Sequence, residues 1–124
     1  LYKPNKMQSA RIEYRGLDSA SNPYLAYAVI LSAGLKGIEN EYELMPAVTE
    51  DLAAMTTAER RAMGYHPLPA SLREAINLTE DSEFMAEVLG EQVFEHFLRN
   101  KRADWEDYRA QVTPYELKHN LGIL

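Results

Sequence analysis

The sequence predicts a mainly α-helical fold with one short N-terminal β-strand. Three observations lead to this fold class. Helix start signals recur along the chain, apolar side chains repeat at helical spacing in the C-terminal half, and alternating polarity is confined to residues 11–15. With 124 residues, the chain has the length of one domain.

The strand is predicted from the run Arg-Ile-Glu-Tyr-Arg at residues 11–15. Successive side chains of a strand point to opposite faces, so the charged residues share one face. These are Arg11, Glu13 and Arg15. Such a row suits a strand that lines a charged cleft. From these five residues alone, however, a polar outer face that protects an edge strand from aggregation is the favoured interpretation.

A long helix is predicted from Pro23 to about Asn40. Asn22 is a good N-cap, and proline suits the first helical position because its missing N–H has no partner there. The helix is apolar on nearly every face, which is typical of a helix inside a large protein. We therefore expect it to be buried by more neighbours than this chain supplies.

Residues 41–70 are expected to hold one short helix, at 57–63, which begins with Thr56 and Glu59 as a capping box and stops at Gly64. The region 71–124 is expected to be helical. Its helices are predicted from the box of Ser71 and Glu74 to about Leu78, from an Asp81 cap through Leu89, from Glu91 to Val112, and from the box of Thr113 and Glu116 onward.

The helix predicted at 91–112 is amphipathic. One side carries an apolar stripe, interpreted as core packing rather than a ligand site: Phe94, Phe97, Leu98, Trp105, Tyr108 and Val112. The other side is interpreted as solvated: Glu95, Arg99, Arg102, Glu106 and Asp107. The last apolar residues are expected to dock onto another surface: Leu117, Leu121, Ile123 and Leu124.

Composition excludes several classes of protein. A net charge of −6 argues against nucleic-acid binding, which needs a basic surface. The chain has no cysteine, which excludes disulfides and thiolate metal sites. The longest apolar run, Pro23 to Leu35, is shorter than the roughly 18–20 residues of a membrane span. Without a secretory signal, we expect a cytoplasmic protein, and because Leu1 is not an initiator, a piece of a longer one.

Several motifs occur in one order along the chain and together point to a known family. The most specific is Arg-Ile-Glu-Tyr-Arg at 11–15, followed by Asp18 and by Asn-Pro-Tyr-Leu-Ala-Tyr-Ala at 22–28. Ala-Gly-Leu-Lys-Gly-Ile at 33–38, Leu-Pro-Ala-Ser-Leu-Arg-Glu-Ala at 68–75, Lys-Arg-Ala-Asp-Trp at 101–105 and Val-Thr-Pro-Tyr-Glu-Leu at 112–117 support it. Together these motifs resemble the C-terminal part of type I glutamine synthetases, and the resemblance implies the C-terminal portion of that family's α+β catalytic domain.

The implied activity is the ATP-dependent joining of ammonia to the γ-carboxylate of glutamate through γ-glutamyl phosphate. By resemblance, Glu13 corresponds to a metal-ligand glutamate, Arg15 to the arginine that binds glutamate, and Arg11 to the arginine beside the ATP phosphates. The chemistry of the side chains agrees with these roles. Carboxylates suit Mg²⁺ or Mn²⁺, and a guanidinium matches carboxylate and phosphate. With the resemblance in view, the functional interpretation of the strand is preferred.

The same resemblance implies that the missing N-terminal part of the enzyme completes the site, because the family's other metal ligands precede this region. It also implies a homo-oligomer, a double-ring dodecamer in the family, with the tail from Thr113 reaching into the facing ring. Two alternatives stay open. In the first, the enzyme joins glutamate to a polyamine or another small amine instead of ammonia. In the second, the segment is a stand-alone, non-catalytic oligomerisation or interaction module.

Four basic residues are left without a catalytic role. His66, His96 and His119 lie outside any metal-ligand spacing, and surface or helix-cap roles are expected for them. Lys6 lies near a basic residue that the family carries close to the nucleotide, but its local match is loose and it stays unassigned.

We predict no adenylylation of residues 51–55. Many bacterial members of the family carry a modified tyrosine in this loop, but an ungapped alignment places Ala53 at that position, and alanine has no hydroxyl. Mass spectrometry after co-expression with an adenylyltransferase is expected to show an unmodified loop. A mass shift of one adenylyl group on these residues would refute the prediction.

Overall fold

The computed structural model describes residues 11–122, and within that range it contains six helices. They are α1 (Pro23–Glu39), α2 (Thr57–Ala62), α3 (Leu72–Glu80), α4 (Glu83–Leu89), α5 (Glu91–Arg109) and α6 (Pro114–Asn120). The mainly helical prediction is confirmed. The predictions made for Lys6, Ile123 and Leu124 lie outside the described residues.

The core forms where α3 and α4 pack against α5. Its buried side chains are Ile76 from α3 and Phe94 and Leu98 from α5. Four partly buried side chains surround them: Met85, Ala86, Leu89 and Trp105. Of the predicted apolar stripe, Phe94, Leu98 and Trp105 therefore belong to the core, whereas Phe97 is half-buried outside this cluster. The prediction is wrong for Tyr108 and Val112, which are 66% and 69% exposed because no other described helix packs over the end of α5.

Side-chain caps start the helices largely as the sequence predicts. Asn22 Oδ1 accepts the N–H groups of the two residues that follow Pro23. Of the three expected capping boxes, those at α2 and α6 are formed, by Thr56 with Glu59 and by Thr113 with Glu116. The box expected at α3 is half formed, since Ser71 Oγ accepts the Glu74 N–H at 3.1 Å without a return bond from the Ser71 N–H to the Glu74 side chain. These contacts join residues at most three positions apart, so they depend little on the rest of the fold.

Two predicted helix boundaries are wrong. Ser82, not Asp81, caps α4: its Oγ accepts the Met85 N–H at 3.2 Å, while Asp81 is the helical C-cap of α3. The longest amphipathic helix ends at Arg109 rather than at Val112. The reason is that Thr113 precedes a proline, which disfavours helical backbone, and takes an extended conformation as the N-cap of α6.

The β-strand predicted at residues 11–15 is not observed. These residues have no regular secondary structure and are exposed. A strand needs a partner for its ladder of hydrogen bonds, and the described range 11–122 contains no strand that could pair with it. Alternating polarity alone does not supply that partner.

The long helix α1 packs against α4. Lys36 Nζ lies 2.6 Å from Glu87 Oε2 and 5.4 Å from the centre of the Phe84 ring, which joins the two helices at the C-terminal end of α1. Residues 11–122 do not bury the outer side of the helix, so the burial predicted for it is not provided by this range. The exposed side chains are Tyr24, Tyr27, Leu31, Leu35 and Ile38, the first of them 84% exposed.

In the described part of the chain, no helix has both the length and the apolar character needed to cross a membrane.

The two capping boxes give a testable prediction. Hydrogen bonds from Thr56, first from its side chain and then from its backbone, lower the pKa of Glu59 below its ordinary value of 4.5. At Glu116 the order is reversed, and the backbone N–H of Thr113 contributes most to the lowered pKa. Because these bonds favour the charged carboxylates, their stabilisation is present above the unfolded-state pKa and is lost as the pH falls through the lowered values.

We therefore expect Thr56→Ala to raise the pKa of Glu59 and Thr113→Ala to raise the pKa of Glu116, since alanine removes the hydroxyl that donates to each carboxylate and keeps the N–H. Carbon-detected NMR titration of the glutamate carboxyls measures both values. Each variant serves as the control for the other box. An unchanged pKa in either variant would contradict the hydrogen bond assigned to that threonine hydroxyl.

Candidate functional site

The structure brings together two of the three predicted site residues. Arg15 Nε donates to Glu13 Oε1 at 2.6 Å, and Arg15 Nη2 lies 2.5 Å from the same oxygen. The two residues are two positions apart, the spacing that the alternating pattern places on one side. Both side chains are exposed, 86% for Arg15 and 58% for Glu13. Arg11 is also exposed and lies outside this pair in the described range.

The pair provides oxygen and nitrogen groups for two kinds of ligand. A carboxylate oxygen suits a hard divalent cation, and the guanidinium donates two parallel hydrogen bonds to carboxylate or phosphate. Glu13 is one carboxylate, however, and residues 11–122 contain no group of three His, Asp or Glu side chains placed to hold a metal ion. The donor chemistry of Glu13 fits Mg²⁺ or Mn²⁺ as one ligand of a larger set.

The backbone beyond the pair takes a close turn. The Tyr14 ring lies against Gly16, where a Cβ atom would come within 2.7 Å of the tyrosine hydroxyl oxygen. Glycine at position 16 therefore allows this approach. A turn closed by Asp18 follows, and after it the Asn22 cap begins α1.

An open groove of about 1580 Å³ lies beside this segment, between residues 14–22 with the first turns of α1 on one side and α5 on the other. Apolar side chains, including Leu25 and Phe97, form part of its lining. Polar residues also contribute, among them Asp18, His96, Arg99 and Lys101. Sequence reasoning did not identify this groove. Of the charged residues that were interpreted as a solvated face of α5, Glu95 and Arg99 line it.

All three histidines are exposed, in agreement with the surface or helix-cap roles predicted for them. His96 Nδ1 lies 2.6 Å from Arg99 Nη2 on the surface of α5. His119, in the last turn of α6, places Nδ1 2.9 Å from the Tyr115 carbonyl oxygen and stacks on its ring. His66 borders a shallow cleft with Tyr65.

The loop at residues 51–55 forms a tight turn with Ala53 exposed in it. The Ala53 N–H donates to Asp51 Oδ1 at 2.9 Å. The side chain at position 53 is a methyl group, so this turn presents no hydroxyl there.

Comparison with known proteins gives consistent matches over nearly the whole chain. The family model described as "Glutamine synthetase, catalytic domain" matches residues 2–120. The glutamine synthetase of Mycolicibacterium smegmatis is 54% identical over 123 residues, which is 99% of this chain and 28% of that protein. That of Methanosarcina mazei is 43% identical over 114 residues, which is 92% of this chain and 26% of that protein.

The fold is similar to that of a solved structure described as a GmaS/ADP complex, conformation 1. The TM-score is 0.72 and the sequence identity 35%, over 85% of this chain and 23% of that one. The chain thus spans a little over a quarter of the length of the curated relatives from Mycolicibacterium smegmatis and Mycobacterium bovis. Sequence and fold agree, and the chain belongs to the glutamine synthetase family.

Proposed function

We propose that these residues form the C-terminal portion of the catalytic domain of an ATP-dependent ligase that joins ammonia to glutamate. The observation that carries the proposal is the match of residues 2–120 to the catalytic-domain model, with relatives named glutamine synthetase at up to 54% identity. The activity belongs to the full-length enzyme, of which this chain would supply one wall of the active site.

Within that site, Glu13 is assigned as a metal ligand and Arg15 as the residue that binds the glutamate substrate. Their contact at 2.6 Å supports the assignment, because it places an oxygen ligand and a carboxylate-binding fork side by side. Arg11 is assigned to the ATP phosphates. It follows the same alternation, so in an extended backbone it lies on the same side as Glu13.

We further infer that residues 11–15 become a β-strand when the rest of the catalytic domain supplies a neighbouring strand. Ile12 is 93% exposed and Tyr14 57%, so the apolar side of this segment lacks cover. The exposed outer face of α1 also needs other parts of the catalytic domain to cover its apolar side chains. Burial of such surface is favourable and stabilises the assembled domain.

The chemistry is the transfer of the γ-phosphoryl group of ATP to the glutamate side-chain carboxylate, followed by attack of ammonia on the γ-glutamyl phosphate and release of phosphate. Arg15 holds the substrate carboxylate in position, and Arg11 neutralises charge on the phosphates. A bound Mg²⁺ or Mn²⁺ supplies further charge neutralisation. Phosphoryl transfer depends mainly on such positioning and electrostatic stabilisation. Use of a nucleotide is supported by the similar structure, described as an ADP complex.

A homo-oligomer is also proposed, in the double-ring arrangement implied by the family resemblance. The support from this chain is the apolar surface near its end, where Tyr115 is 70% exposed and Leu121 65%. The alternatives of a polyamine or other small amine as acceptor, and of a non-catalytic interaction module, are not favoured, because the relatives compared are named glutamine synthetase.

The isolated 124-residue segment is expected to have no ligase activity, because Glu13 is a single carboxylate and cannot hold the metal ions alone. ATP-dependent formation of γ-glutamyl hydroxamate measures the activity, with the full-length enzyme as the positive control. Turnover by the segment would refute the proposed division of the active site.

In the full-length enzyme, Arg15→Ala is expected to raise the KM for glutamate about 10- to 100-fold, the equivalent of one hydrogen bond to a charged group. Glu13→Ala is expected to lower metal-dependent turnover at least about tenfold, since even residues that only orient a metal ligand have effects of that size. Steady-state kinetics against glutamate and Mg²⁺ separate the two effects.

The matched controls for these variants are Arg109→Ala and Glu106→Ala. Arg109 and Glu106 form an ion pair of similar length and exposure on α5, with Nη2 and Oε2 2.5 Å apart. They should leave both kinetic parameters unchanged. Normal kinetics in the two site variants would remove the site assignment.

A further inference from the structure

A short turn connects the Glu13–Arg15 pair to α1, and one residue closes it twice. The Ala20 N–H donates to Asp18 Oδ1 at 2.7 Å. The Ser21 N–H donates to the Asp18 carbonyl oxygen at 3.1 Å. The side-chain oxygen and the carbonyl oxygen of Asp18 therefore both stabilise the turn at residues 18–21.

The turn leads directly into the start of α1. Asn22 Oδ1 accepts the N–H groups of Tyr24 and Leu25 at 3.0 and 3.3 Å. On the other side, only Gly16 and Leu17 separate Arg15 from Asp18. The direction in which the backbone leaves α1 toward the candidate site thus depends on the bonds that Asp18 makes.

The carboxylate of Asp18 has no competing ionic contact in residues 11–122, where the ion pairs involve other acidic residues. Within that range this carboxylate accepts a hydrogen bond from the Ala20 N–H. An acceptor oxygen at this position, rather than a negative charge, is what the turn requires.

We infer that Asp18 is a positioning residue for Glu13 and Arg15. It holds the turn that aims both side chains, so that the metal ligand and the glutamate-binding guanidinium keep a fixed orientation relative to α1. This inference rests on the proposed function of those two residues. Small misplacements of binding groups have large kinetic effects, which is why a residue that touches no ligand can matter.

The test uses two substitutions in the full-length enzyme. Asp18→Ala removes the acceptor oxygen and is expected to raise the KM for glutamate and the Mg²⁺ concentration for half-maximal rate, each about tenfold, as for residues that orient a ligand. Asp18→Asn keeps an acceptor oxygen in the same place and removes the charge. It is expected to restore both values to within about twofold of the original enzyme, because asparagine forms the same kind of turn.

Asp51→Ala is the matched control. Asp51 closes a similar turn elsewhere, where its Oδ1 accepts the Ala53 N–H at 2.9 Å and its carbonyl oxygen accepts the Ala54 N–H at 3.1 Å. Loss of a turn that has only a structural role would leave the KM for glutamate unchanged. The comparison therefore separates a general loss of folded enzyme from a misplaced site.

Arg15→Ala is measured in parallel to separate this inference from the proposed function. If Arg15→Ala raises the KM for glutamate and Asp18→Ala does not, the positioning role is wrong and the site assignment stands. If Asp18→Asn is as impaired as Asp18→Ala, the charge matters instead of the turn, and the inference is also wrong. An unchanged KM in Arg15→Ala removes the site assignment, and the positioning role with it.

Discussion

The packing around Leu98 is the contact on which the described arrangement of helices depends. This side chain is 1% exposed, and it lies with Phe94 on the face of α5 that receives α3 and α4. Ile76 from α3 completes the buried set. Burial of apolar surface is the main favourable contribution to folding, so the geometry of α3, α4 and α5 follows from this small cluster. The long helix α1 is attached to it through α4.

That attachment leaves more apolar surface than the described residues cover. The contact between α1 and α4 includes the exposed pair of Lys36 and Glu87, and exposed ion pairs contribute little stability. Along the opposite side of α1, tyrosine, leucine and isoleucine side chains face outward. An apolar surface of this extent is typical of an interface. The segment that carries Glu13 and Arg15 likewise exposes its apolar side chains, Ile12 and Tyr14.

The features predicted correctly are those set by neighbours in sequence. The Asn22, Thr56 and Thr113 caps depend on hydrogen bonds across two or three residues, so residue type alone identifies them. Where two adjacent residues could both cap, at Asp81 and Ser82, the sequence did not decide between them. The strand at 11–15 needs a partner from elsewhere, which alternation cannot provide. The same distinction holds for the candidate site. Alternation in the sequence places Glu13 beside Arg15, whereas the groove along α5 depends on tertiary packing and was not predicted.

Gly90 ends α4 and caps α5, with φ +71° and ψ 154°. This backbone conformation is essentially restricted to glycine, and even asparagine, which tolerates the left-handed helical region, does not normally adopt it. No atom lies within 4 Å of where a Cβ would be placed, so the restriction comes from the backbone alone. The helices α4 and α5, which share the Leu98 cluster, are therefore joined at a position whose backbone favours glycine. A side chain at that joint would have to adopt this strained backbone conformation or change the way in which α4 ends and α5 begins.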